Sequence, residues 1–95
     1  MNICIFGAGN YGYEAFKLIS GRVDSTCIFF CDNYTKEKIS LNGIRIVKFH
    51  ELKEKAACED IAIVIATAQY QGIYEQCMEA KLKVYGIYDN CKGSI

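Results

Sequence analysis

Apolar residues along this chain alternate between short unbroken runs and stretches with a helical repeat. Asn2–Phe6 is an apolar run ending at a glycine, and such runs suit a strand buried on both faces. Asn10–Ser20 then carries Gly12, Ala15, Phe16 and Ile19 on one stripe, which predicts a helix. Gly21 is placed to cap its C-terminus. Residues 26–31 (TCIFFC) are aromatic and β-branched and predict a second buried strand. Residues 32–41 are polar and read as a loop. Asn42-Gly43 is a turn signal, and Ile44–Val47 is a third short strand. Phe49, Leu52 and Ala56 sit at helical spacing and mark a second helix. Residues 61–66 (IAIVIA) are the most strand-like of all. Residues 69–80 place Ile73, Cys77 and Ala80 on one stripe, with Tyr74 and Met78 beside it, and predict a third helix. Residues 83–87 form a last strand, and the tail after Tyr88 carries no clear signal.

Strands alternating with helices imply βαβ crossovers and an α/β fold. The expected architecture is a Rossmann-like doubly wound parallel sheet of five strands in the order 3-2-1-4-5, with helices on both faces. A crevice then opens at the carboxyl ends of the first and fourth strands, where the strand order reverses. With 95 residues and no linker or repeat, residues 1–95 are expected to form a single domain.

Composition narrows the function classes. Eleven basic residues balance eleven acidic ones, so no net field draws in nucleic acid or an anionic membrane. No basic leader or long apolar segment is visible, so a cytoplasmic protein without a membrane span is expected. The six cysteines (Cys4, Cys27, Cys31, Cys58, Cys77 and Cys91) contain no C-x-x-C spacing. They read as reduced thiols, with Cys4, Cys27 and Cys31 inside strands as small buried hydrophobes. Cys27 and Cys31 fall on the same side of one strand, too far apart for a disulfide. Seven tyrosines are many for this length and are compatible with an interface, hence a homo-oligomer.

The chemistry concentrates after the first strand. Gly7-Ala8-Gly9-Asn10-Tyr11-Gly12 matches G-x-G-x-x-G between a strand and a helix, and Asp32 lies 20 residues beyond Gly12. In that motif Gly7 allows the tight turn, Gly9 lets a phosphate approach the backbone, and Gly12 lets the helix pack close to the sheet. Free N–H groups and the helix dipole then face the anion. Asp32 can accept from ribose hydroxyls. The other reading is an empty loop that needs glycine only for its backbone angles. Asn10 and Tyr11 flank the phosphate position, and Asn33 and Tyr34 follow Asp32 toward the base. Across the crevice, Thr67 and Gln69 can hydrogen-bond a ligand and Tyr70 can stack on it; alternatively this is only a helix start, with Thr67 near the N-cap. His50 reads as a solvated helix residue. The Lys36-Glu37-Lys38 run reads as a solvated loop. Nothing has metal-ligand spacing, and no catalytic residue is identified.

The segments IFGAGNYG, CDN, NGIRIVKFHEL and IAIVIATAQY resemble the N-terminal nucleotide-sugar domain of bacterial sugar O- and N-acyltransferases. Similar modules occur with methyltransferases and glycosyltransferases of surface-polysaccharide assembly. The resemblance covers residues 1–89. It implies a UDP-sugar ligand, with Gly7, Gly9, Asn10 and Gly12 at the diphosphate and Asp32 and Asn33 at the uridine. Asn10-Tyr11 stands where those enzymes often have a histidine. The acyl donor and catalytic histidine of those enzymes belong to a C-terminal β-helix, so the domain is expected to be non-catalytic alone and to rely on a C-terminal region or partner. Two further readings stay open: an NAD(P)-binding domain of an oxidoreductase or sensor, and a non-binding structural or dimerisation module.

Overall fold

The computed structural model describes residues 2–34, 40–41 and 43–88. Lys36-Glu37-Lys38, Asn42, Cys91 and the tail beyond Tyr88 lie outside them. The elements in chain order are β1 (Asn2–Phe6), α1 (Asn10–Ser20), β2 (Ile28–Cys31), β3 (Ser40–Leu41), β4 (Ile44–Val47), α2 (Phe49–Cys58), β5 (Ile61–Ile65), α3 (Tyr70–Glu79) and β6 (Val84–Ile87). They build one α/β domain around a mixed sheet in the order β3-β4-β2-β1-β5-β6. The β1–β2, β1–β5, β2–β4 and β5–β6 pairs are parallel.

Two expectations are corrected here. The sheet has six strands rather than five, because β3 pairs antiparallel with β4 through Ser40–Arg45 and Leu41–Ile44. Gly43 at φ 81° turns the chain between them, and that left-handed angle suits glycine. Residues 32–41 are therefore not all loop. The second strand also starts later than its apolar content suggests. Ser25–Cys27 is a 3-10 turn, where the Thr26 N–H donates to the Asp24 carboxylate at 3.0 Å. Cys27 thus precedes the strand instead of sharing a side of it with Cys31.

Alternation along the strands divides the core into two layers. Ile5, Ile28, Phe30, Ile46 and Val64 face α1, which contributes Ala15 and Ile19. Cys4, Phe6, Cys31, Val47, Ile63 and Ile65 face α2 and α3, which contribute Leu52, Ile73 and Cys77. Phe16 of α1 reaches Phe30 with ring centroids 6.0 Å apart. β5 is buried along its whole length, which is why its five residues are all apolar. Gly21 caps α1 in a right-handed conformation at φ −77°. Among the described residues, no helix is long and apolar enough to cross a membrane.

β2 and β4 lie on one side of β1, and β5 and β6 on the other. The segments leaving β1 and β5 at their carboxyl ends therefore part company, which leaves a gap above the sheet centre.

Candidate functional site: an open cleft above the central strands

The turn after β1 is held from three directions. The Gly7 N–H donates to the Cys31 carbonyl at 2.8 Å, and the Ala66 N–H donates to the Phe6 carbonyl at 2.9 Å. The Ala8 N–H donates to Asp32 Oδ2 at 2.8 Å. The other Asp32 oxygen accepts from the Tyr34 N–H at 2.7 Å. Asp32 is half-buried. Its carboxylate fastens the glycine turn to the end of β2. Each oxygen keeps a second acceptor direction, so a ribose hydroxyl can still be bound.

The three glycines have different physical grounds. Gly7 has φ +127°, and a Cβ there would lie 2.3 Å from the Ala66 carbonyl oxygen. At Gly12 a Cβ would lie 1.8 Å from the Gly7 carbonyl oxygen. Both glycines are required by the fold itself. Gly9 is exposed, its φ of −103° is ordinary extended backbone, and a Cβ there would meet nothing within 4 Å. It serves as the N-cap of α1, which has no side-chain cap and no acidic residue in its first turn.

Beside this turn lies an open cleft of about 490 Å³, within the usual range for small-molecule sites. Its floor includes Phe6 and Gly7, one wall is residues 32–34, and the other is residues 67–73 with Gln76. Of the residues singled out in the sequence, Gly7, Asp32, Asn33, Thr67 and Gln69 line it, as do Tyr34 and Tyr70. Gly9, Asn10, Tyr11 and Gly12 do not. Asn10 is exposed, while Tyr11 packs against the core layer under α1, so its ring is used in packing. Thr67 lies two residues before the N-cap of α3, Gln69, whose N–H reaches Thr67 Oγ1 at 3.4 Å.

Gln76 and Gly72 were not apparent as cleft residues in the sequence. The Asn33 amide donates to Gln76 Oε1 at 2.8 Å, and the Gln76 amide donates back to Asn33 Oδ1 at 3.2 Å. This reciprocal pair ties α3 to the end of β2 across the cleft. The signal was the helical spacing of residues 69, 72–73 and 76 directly after the Thr67 loop.

The described lining contains one carboxylate, Asp32, and no lysine, arginine, histidine or cysteine. Four amide side chains (Asn33, Gln69, Gln71 and Gln76), the Thr67 hydroxyl and two tyrosines supply its polarity. Tyr34 and Tyr70 are exposed at 78% and 45%. A bound anion would therefore rely on backbone N–H groups. Since Asp32 occupies the Ala8 N–H, those groups start at Gly9.

The thiols lie away from this chemistry. Among the described residues five cysteines are free, with Cys4, Cys31 and Cys77 buried. Burial, and then the Cys31 thiol beside it, pushes the Cys4 thiol well above the ordinary value. Burial pushes Cys77 up to about 11. Neither has thiolate character at neutral pH. His50 is exposed on α2. Among the described residues, no group of three or more His, Cys, Asp or Glu side chains is arranged to hold a metal ion.

No protein-family model, curated protein or solved structure matches the chain.

Proposed function

We propose that this domain binds a nucleotide, with a UDP-linked sugar as the favoured ligand, and serves a bacterial carbohydrate- or polysaccharide-modifying transferase. In this reading the sheet is of the Rossmann type, with β3 added at its edge. The phosphates lie at Gly9 and the first turn of α1, the ribose is held by the free acceptor directions of Asp32, and the base enters the cleft between residues 32–34 and α3. The observation that carries the reading is Gly9. Gly7 and Gly12 are explained by packing, but at Gly9 a side chain would meet open space, and the α1 N-terminus it caps has no side-chain hydrogen bond. A bare backbone there suits a phosphate. The resemblance to nucleotide-sugar domains supplies the choice of UDP. The free thiols fit a reducing, cytoplasmic compartment.

The spacing of Gly12 and Asp32 suits an adenosine ribose equally, so NAD and NADP belong in the test. A thermal-shift panel of UDP, UDP-sugars, NAD and NADP is expected to answer to the uridine ligands. Ligand at about 100 times its dissociation constant adds roughly 2.7 kcal/mol of stability. The Gly9→Val variant loses glycine at the α1 N-cap but meets open space, so it should fold with a modestly lower melting temperature and lose that response. A response to NAD alone selects the oxidoreductase or sensor reading, and silence from every ligand selects the structural module. If Gly9→Val binds UDP as the parent does, the phosphates do not use this turn.

A further inference from the structure

Gly72 is the third residue of α3, where the helix geometry asks for no glycine. Its φ is not positive, and a Cβ there would meet nothing within 4 Å. Glycine is a poor helix former, because its backbone gives up the most freedom. The residue is exposed and lines the cleft. Neither backbone angle nor packing accounts for it.

The wall to which it belongs is linked to the end of β2 by the reciprocal Asn33–Gln76 amide bonds. Tyr34 and Tyr70 stand at the rim with much of their surface in solvent.

We infer that Gly72 makes room for the base in the cleft: its missing side chain leaves the α3 wall bare, and the planar base of the ligand lies against it with Tyr34 and Tyr70 at the edges. This rests on reading the cleft as a nucleotide site. With the ribose at Asp32 and the phosphates toward Gly9, the base is directed into the part of the cleft lined by Tyr34, Tyr70, Gln71 and Gly72, beside the Asn33–Gln76 pair. A flat ring needs a bare wall there, and exposed tyrosines suit its faces and edges.

The test compares the parent with Gly72→Ala and Gly72→Leu, using calorimetric titration with UDP and with uridine and a melting curve for each protein. Both substitutions improve helix propensity and meet open space. The melting temperature of Gly72→Ala should hold or rise by about 2–6 °C. Affinity should fall in steps, reaching roughly 10–100-fold for Gly72→Leu, as expected for an overfilled site. The loss should appear with uridine as well as UDP, because it concerns the base. If Gly72→Leu binds UDP as tightly as the parent does, this inference fails while the nucleotide reading stands. Loss confined to UDP, with uridine unaffected, places the phosphates at Gly72 and also overturns it. A melting temperature lowered by Gly72→Ala reveals a packing role and does the same. A parent that binds neither UDP nor uridine removes the uridine-nucleotide reading and this inference together.

Discussion

At Gly12 a single carbon atom decides whether α1 can start where it does. A Cβ would lie 1.8 Å from the Gly7 carbonyl oxygen, which is backbone and cannot swing aside. Gly12→Ala is therefore expected to lose about 1–3 kcal/mol or more of stability by overpacking, measured by urea unfolding. An unchanged midpoint would mean that the turn relaxes freely. Asp32 acts over the same few ångströms. Asp32→Ala strips the acceptor from the Ala8 and Tyr34 N–H groups, and Ala8 is buried. The expected loss is about 1.5–3 kcal/mol, the range for hydrogen bonds to a charged group. Any loss of nucleotide affinity then has to be read beside that stability change, from variants shown to be folded at the titration temperature. Full stability in Asp32→Ala would contradict the bracing role. The importance of Asp32 was legible from its spacing after the glycines. Its bond to Ala8 was not, because spacing says nothing of which partner a carboxylate chooses. Tyr11 shows the same limit: its place in the motif put it beside the phosphates, but the turn of the helix carries its ring to the core.

At the scale of elements, the strands that carry the core were legible because burial on both faces writes itself as unbroken apolar sequence. β1 and β5 follow that pattern, whereas β4, which exposes Arg45, is read with the help of the turn signal before it. The signal blurs at strand ends and in polar segments. Residues 26–27 have strand-like side chains, yet the Asp24 carboxylate captures the Thr26 N–H and curls the chain into a turn. β3 contributes two residues at the sheet edge, too few for any alternation, so Asn42-Gly43 reads only as a turn after a loop. Where β5 starts and the chain approaches β6, Lys83 Nζ meets Asp60 Oδ1 at 2.9 Å. The Lys83 ammonium holds the Asp60 carboxyl below its ordinary value of 3.8, first through this hydrogen bond and then through its charge. A lowered folded-state value means stability that is complete above the unfolded value and lost as pH falls through the folded one. Asp60→Asn should therefore flatten the fall in melting temperature below about pH 4 relative to the parent, as followed by circular dichroism. Both groups are exposed, so the effect is small. Identical pH profiles would show that the pair adds nothing.

Across the whole molecule, the two core layers hold β1 and β5 side by side, and the connections leaving their carboxyl ends open the cleft. Gly7 and the residues after β2 and β5 were legible as neighbours in one cleft because the strand pattern brings those ends together. The α3 wall was not, since Gly72 and Gln76 carry no motif and become neighbours of Asn33 only when α3 docks on the sheet. The central claim is that one nucleotide spans the α1 N-terminus and this cleft. The most direct test is an amide chemical-shift titration of the isotopically labelled chain with UDP. The account predicts saturable shifts centred on Gly9, Asn10 and Tyr11, continuing through residues 32–34 to Tyr70, Gln71 and Gly72, with the C-terminal half of α1 and the edge strand β6 little changed. Saturable shifts centred elsewhere on the molecule, or none at millimolar UDP, would contradict it.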